Sequence, residues 1–164
     1  MSYIASGKIV LPLSIVSSSP EETFALGERL AALLGRGSVI ALEGPIGAGK
    51  TCLTKGLAKG LGVAEEVTSP SYTIISEYEA FPYGENTASI NLYHIDAYRL
   101  GGNDDFFNIG GEEIVFGNGI SVIEWSGRIG DSIPNDAFRV EIQILDDGKR
   151  KIVISRSIPK ESLT

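Results

Sequence analysis

Eight consecutive residues, Gly44-Pro45-Ile46-Gly47-Ala48-Gly49-Lys50-Thr51, have the types and spacing that grip phosphate. They fit the pattern G-x-x-x-x-G-K-[ST]. The glycines let the backbone curl so that successive N–H groups point inward at an anion. A helix opening directly behind the loop adds its positive end. The Lys50 ammonium supplies a full charge to the outer phosphates, and the Thr51 hydroxyl is a ligand for Mg²⁺. The pattern arises by accident in on the order of one chain in a hundred of this length. Its setting narrows the reading, because the wholly apolar segment Ser38–Leu42 precedes it. Behind it comes a helical pattern with Leu53, Leu57 and Leu61 on one face.

A loop of this kind needs a carboxylate at the end of another buried strand to hold the water shell of the metal. Two residues qualify. Glu124 ends the apolar run Ile120-Ser121-Val122-Ile123, and Asp96 ends Ile90-Asn91-Leu92-Tyr93-His94-Ile95. Either could be a solvated strand end. A carboxylate beside phosphates is costly unless a cation neutralises it, which favours both lying close to the ion. His94 is the one histidine, which excludes two-histidine metal motifs such as H-E-x-x-H. A Ser-His-Asp triad would have to use it, and no G-x-S-x-G elbow accompanies it. His94 is read as a structural histidine beside Asp96. Arg99 and Arg128 could stabilise charge on a transferring phosphate, but read more simply as surface or ion-pairing residues. Trp125 reads as a core residue. Lys149, Arg150, Lys151 and Arg156, offset by Asp146 and Asp147, read as a solvated face.

The surrounding elements are those of an α/β sheet. Lys8–Val16 reads as a strand, with Pro12 marking an edge position or a bulge. Ser19 then caps a helix with Pro20 in its first position and Glu22 closing a capping box. Leu26, Leu30, Leu33 and Leu34 repeat at helical spacing until Gly35. After Gly62 ends the second helix, Tyr72–Glu79 and Ser89–Asp96 read as a strand hairpin. Leu100–Gly111 reads as a loop with local helix, Glu112–Phe116 as a short helix, and Ile120–Ile123 as a buried strand. Ala137–Leu145 and Lys149–Ser155 form a terminal hairpin about Asp146-Asp147-Gly148. The expectation is one domain over residues 1–164: an α/β, P-loop NTPase-like fold with a mixed β-sheet flanked by helices and a C-terminal β-hairpin.

Composition bounds the partners. Fourteen Lys and Arg against 21 Asp and Glu leave a formal net charge of −7. A free-standing nucleic-acid binder draws its affinity from basic excess, so contact with RNA is expected only through a partner. Cys52 is the single cysteine, which precludes an internal disulfide and fits a reducing, cytoplasmic setting. No apolar stretch approaches the roughly 18 residues of a membrane helix, so no membrane contact is expected.

Four segments in order, Gly44–Thr51, Ser69-Pro70-Ser71-Tyr72-Thr73, His94-Ile95-Asp96-Ala97-Tyr98-Arg99-Leu100 and Ile123-Glu124-Trp125, resemble the TsaE (YjeE) family. The likeness spans roughly positions 20 to 135. The phosphate loop alone is shared with hundreds of families, whereas the combination is specific. The resemblance implies an ATPase of the bacterial tRNA threonylcarbamoyladenosine (t6A) pathway, working with TsaD- and TsaB-like proteins that modify adenosine 37. It implies that ATP binding and hydrolysis reset or activate that machinery, with tRNA reached only through the complex and the group transferred by others. Carried over by residue, Gly44, Pro45, Ile46, Gly47, Ala48, Gly49, Lys50, Thr51 and Cys52 would surround ATP or ADP. Lys50 would contact phosphates, Thr51 and Glu124 would hold Mg²⁺, and Asp96 would support catalysis near the metal or the attacking water. Trp125 would lie at the nucleotide or a partner surface, and Ser69–Thr73 would act as a switch-like segment. The family usually has Thr and Phe at the positions of Ser71 and Tyr72.

Two other readings use the same loop: a small-molecule kinase, which needs an arginine-bearing lid, and a nucleotide-loaded binding module without useful turnover. A GTPase is disfavoured, because neither an Asn-Lys-x-Asp segment nor an Asp-x-x-Gly switch follows the loop.

Overall fold

The computed structural model describes residues 9–157 apart from Ser71 and Glu85. Seven strands form one sheet: β1 (Leu13–Ser17), β2 (Val39–Glu43), β3 (Ile75–Ala80), β4 (Ile90–Asp96), β5 (Ile120–Glu124), β6 (Phe138–Ile144) and β7 (Arg150–Arg156). Their spatial order is β1-β7-β6-β2-β5-β4-β3. The four central strands β6, β2, β5 and β4 run parallel. The hairpin partners β3 and β7, and the edge strand β1, are antiparallel additions. This is the mixed sheet expected from the sequence.

The unbroken apolar run of β2 follows from burial on both faces. Ile40 and Leu42 point into one apolar cluster, Val39 and Ala41 into the other. The first cluster lies under helices α1 (Pro20–Leu30) and α2 (Lys50–Gly60), which contribute Leu26, Leu30, Leu53 and Leu57. The second lies under α3 (Asn103–Asn108), α4 (Gly111–Val115) and a 3₁₀ segment, Ser126–Ser132, which contribute Phe106, Val115 and Ile129. Among the described residues no helix is long and apolar enough to cross a membrane.

Helix α1 starts as the sequence requires. The Ser19 hydroxyl accepts from the Glu22 amide at 3.2 Å. The Glu22 carboxylate accepts from the Ser18 amide at 2.6 Å, one residue earlier than a standard capping box. The leucine period carries on past Leu30, but the backbone tightens into a 3₁₀ turn, Ala31–Leu33, before Gly35.

Two expectations are corrected, and one element went unread. The first strand starts at Leu13, so Pro12 precedes it and does not interrupt it, and Lys8 lies outside the described residues. Strand β3 starts at Ile75, not at Tyr72, because Ile74 adopts a left-handed backbone (φ 65°) that breaks the extended run. Residues 126–132 wind into a 3₁₀ segment that no apolar period announces.

The parallel strands share one functional edge. β2 ends in Glu43 and feeds the glycine loop, β5 ends in Glu124, and β4 ends in Asp96. Register pairs Leu42 with Glu124 and Asp96 with Glu124. The carboxyl ends of parallel strands are where α/β sheets bind ligands.

Candidate active site

The loop between β2 and α2 is curled. Its turn is closed by the Ala48 amide on the Pro45 carbonyl at 3.1 Å. Gly47 (φ 78°) and Gly49 (φ 108°) both take left-handed backbone, which any side chain would strain. Gly49 is the N-cap of α2, so an eleven-residue helix points its positive end into the loop. The segment is neither extended nor detached from the helix, which is the requirement for a phosphate cradle.

Lys50 is buried at 6% exposure. Its ammonium donates to the Gly44 carbonyl at 2.5 Å and the Pro45 carbonyl at 3.0 Å. It also lies 4.2 Å from the centre of the Trp125 ring, a cation–π contact. Burial pushes the ammonium down from its ordinary value, and the carboxylates of Glu124, Glu43 and Asp96 push it back up. Trp125 is therefore half-buried over the loop lysine, not a pure core residue. Its backbone is left-handed (φ 58°) and its ring packs on Tyr98 at 5.0 Å. Non-glycine residues at positive φ cluster at functional sites. Among the described residues the two such positions, Ile74 and Trp125, flank this one: the Ile74 carbonyl accepts from the Asp96 amide at 2.8 Å, and Trp125 follows Glu124.

Thr51 Oγ1 donates to Glu124 Oε1 at 3.0 Å. Glu124 is 3% exposed, while Asp96 is half-buried beside it, with Oδ1 accepting from the Tyr98 amide at 3.0 Å. Ile46, Gly47, Ala48, Gly49, Lys50, Thr51, Cys52, Ser69, Asp96, Glu124 and Trp125 line one cleft of about 310 Å³. Gly44 and Pro45 are held to that cleft through the Lys50 ammonium. The donor set facing the cleft, a hydroxyl and two carboxylates, consists of the hard oxygens that Mg²⁺ takes. Among the described residues no three His, Cys, Asp or Glu side chains are grouped so as to hold a metal by themselves. A metal here would complete its shell from phosphate and water, as Mg²⁺ usually does.

A second cavity of about 170 Å³ lies on the other side of the loop, lined by Ser17 to Pro20, Thr23, Gly47 to Gly49, Cys52, Gly148 and Arg150. Cys52 borders both spaces, and its thiol donates to the Pro20 carbonyl at 3.2 Å. Burial pushes that thiol up, which keeps it a neutral wall and not a nucleophile.

Two further sequence readings change, and one residue went unread. His94 pairs with Glu124 and not with Asp96: Nε2 lies 2.8 Å from Oε2, and the ring is fully buried. Arg150 is not part of a solvated basic face. Its guanidinium donates to the carbonyls of Ala48 at 3.2 Å and Gly47 at 3.1 Å, so the terminal hairpin braces the glycine loop. Glu43, missed in the sequence, accepts from Ser126 Oγ at 3.0 Å and from the Gly127 amide, tying β2 to the segment after Trp125. Arg99 and Arg128 lie over the rings of Tyr72 and Tyr98, at 5.3 and 5.1 Å. Ser69 lines the cleft, while Ser71 lies outside the described residues.

The chain is similar to proteins named tRNA threonylcarbamoyladenosine biosynthesis protein TsaE. That of Treponema pallidum is 41% identical over 140 residues, covering 85% of this chain and 98% of that one. That of Aquifex aeolicus is 40% identical over 144 residues, covering 87% and 95%. The crystal structure of Bacillus subtilis YdiB superposes with a TM-score of 0.68 at 34% identity, covering 94% of this chain and 93% of that one. Residues 17–152, and with them the loop, both carboxylates and Arg150, match the family model for threonylcarbamoyl adenosine biosynthesis protein TsaE, and the chain belongs to that family of P-loop NTPase-like t6A biosynthesis proteins.

Proposed function

We propose that this protein is the Mg-dependent ATPase of the t6A machinery, slow alone and stimulated by TsaD- and TsaB-like partners, and that it does not itself transfer the threonylcarbamoyl group. The observation that carries the reading is the meeting of Lys50, Thr51 and Glu124 in one cleft at the N-terminus of α2. In this reading Lys50 leaves the Gly44 and Pro45 carbonyls for the β- and γ-phosphate oxygens. The amides of the glycine loop and the α2 N-terminus hold the remaining phosphate charge. Thr51 and Glu124 hold Mg²⁺, which when bound neutralises charge developing on the transferring phosphoryl group. Asp96, level with Glu124 on the adjacent strand, orients the attacking water or the metal's water shell. Trp125 caps the cleft, and Ser69–Thr73 reaches toward the γ-phosphate. The nucleoside passes Cys52 into the second cavity between α1 and the terminal hairpin, because that residue borders both spaces.

Calorimetry with ATP and ADP, followed by phosphate release with and without purified TsaD- and TsaB-like proteins, tests the proposal. Expected are Mg-dependent nucleotide binding and hydrolysis that rises on adding the partners. Folded protein that binds no nucleotide under either condition would overturn it. Partner function in t6A formation that survives Asp96→Ala, although this variant no longer hydrolyses ATP, would reduce the protein to a nucleotide-loaded binding module without useful turnover.

A further inference from the structure

We propose that His94 is a positioning residue that locks the Glu124 carboxylate, so that one oxygen stays turned to Thr51 and the mouth of the cleft. The inference rests on the Mg-nucleotide reading of the site and deepens it.

The strand pairing supplies the geometry. In the parallel ladder of β4 on β5, His94 is level with Val122 and Asp96 with Glu124. Side chains two residues apart on a strand share a face. His94 therefore comes at Glu124 from one step deeper in the sheet, while Asp96 sits beside it at the open end. The two Glu124 oxygens divide accordingly. Oε2 takes His94 Nε2 at 2.8 Å in the interior, and Oε1 takes Thr51 Oγ1 at 3.0 Å at the cleft. An ionised carboxylate only accepts, so the bond assigns the proton to Nε2. The other ring nitrogen, Nδ1, is buried with no hydrogen-bond partner among the described residues. Leaving a buried polar atom unmet is unfavourable, and an apolar residue in the same space would avoid that cost. The histidine is thus poorly explained as core filling and well explained by its one bond.

Without that bond the Glu124 carboxylate is free to rotate, and its second oxygen leaves the position shared with Thr51. Partners behind a metal ligand typically govern about 10–100-fold in metal affinity. Asp96 is oriented separately, by the Tyr98 amide on its Oδ1 in the turn after β4, so it does not hold the Glu124 carboxylate in place.

The test compares His94→Gln, whose amide nitrogen extends to about the reach of Nε2, with His94→Asn, whose amide stops short at the level of Nδ1. ADP binding to the wild type and both variants is measured by calorimetry in EDTA and in Mg²⁺, with thermal melts on the same samples. In EDTA all three are expected to bind alike, since Lys50 and the loop are untouched. In Mg²⁺ the wild type and His94→Gln gain affinity, and His94→Asn loses at least tenfold of that gain. If His94→Asn does not fold, His94→Leu takes its place with the same expectation. A full Mg²⁺ gain in His94→Asn or His94→Leu, or none in His94→Gln, overturns the proposal. Failure of the wild type to bind ADP at all overturns the nucleotide reading instead.

Discussion

Lys50 shows how one residue carries opposing demands. Burial is the larger influence on its ammonium and the three carboxylates only partly offset it, so its charged form is held at a cost in the folded chain. The folded protein releases this proton at lower pH than the unfolded chain. Between the lowered value and 10.5 the unfolded state binds more protons, and wild-type stability rises through that window. Lys50→Met is therefore expected to melt above the wild type at neutral pH, with the gap closing as pH approaches 10.5. The same variant loses nucleotide. Two charged hydrogen bonds to phosphate, each worth about 1.5–3 kcal/mol, correspond to roughly a hundredfold or more in affinity. A melt that falls at neutral pH would show that the neutralised carboxylates matter more than the desolvated charge. Arg150 acts on the same loop from outside. Its fork holds two adjacent carbonyls, a geometry that a lysine cannot reproduce. Arg150→Ala and Arg150→Lys are both expected to weaken ADP binding by roughly tenfold, the value of about one such bond. Calorimetry on both variants checks this, and full affinity in Arg150→Lys would mean that charge alone suffices.

At the scale of elements, the loop is held rigid from behind by the packing of α1 on α2. The two helices approach backbone to backbone. A Cβ at Gly56 would strike the Phe24 carbonyl, and one at Gly27 would strike the Leu53 carbonyl. Replacing Gly56 by Ala gains about 1 kcal/mol in helix propensity. It also forces a methyl into a backbone carbonyl that cannot swing aside, and overpacking typically costs about 1–3 kcal/mol. The clash is expected to win, with Tm falling by a few degrees, roughly 2–4 °C per kcal/mol in a chain of this size. A higher Tm for Gly56→Ala would show that the helices separate freely. The leucines at 53, 57 and 61 made α2 and its buried face readable in advance, because the period of a helix is written in its own residues. The glycines were not readable in that way, since only the neighbouring helix gives them a reason. The same division runs through the site. Lys50, Thr51 and Glu124 were legible as a local motif and a strand end. The His94–Glu124 bond depends on which strand lies beside which, and the Arg150 brace on β7 returning next to β6. The left-handed turn at Ile74 cuts short a strand that the sequence pattern begins at Tyr72.

At the scale of the whole molecule, charge decides what the protein touches unaided. The formal net charge is −7, and several of its basic groups are already committed. Lys50 is enclosed in the cleft and Arg150 holds the glycine loop. Lys59 pairs with Glu28 at 3.7 Å, Lys149 with Asp147 at 3.6 Å, and Arg156 with Asp136 at 4.0 Å. Non-specific affinity for a polyanion grows with the number of phosphates neutralised, and even basic binders reach only about 10⁻⁴–10⁻⁶ M at physiological salt. An acidic chain with several of its cations so engaged is expected to show no saturable tRNA binding below roughly 100 µM protein at about 0.15 M salt. Filter binding of labelled tRNA to the protein alone, and then to the protein with the proposed TsaD- and TsaB-like partners, measures both cases. Retention only with partners fits a subunit whose nucleotide cycle acts on the machinery that holds the RNA. Micromolar binding by the protein alone, weakening steeply with salt, would place a phosphate-binding surface on this chain and make its contact with tRNA direct.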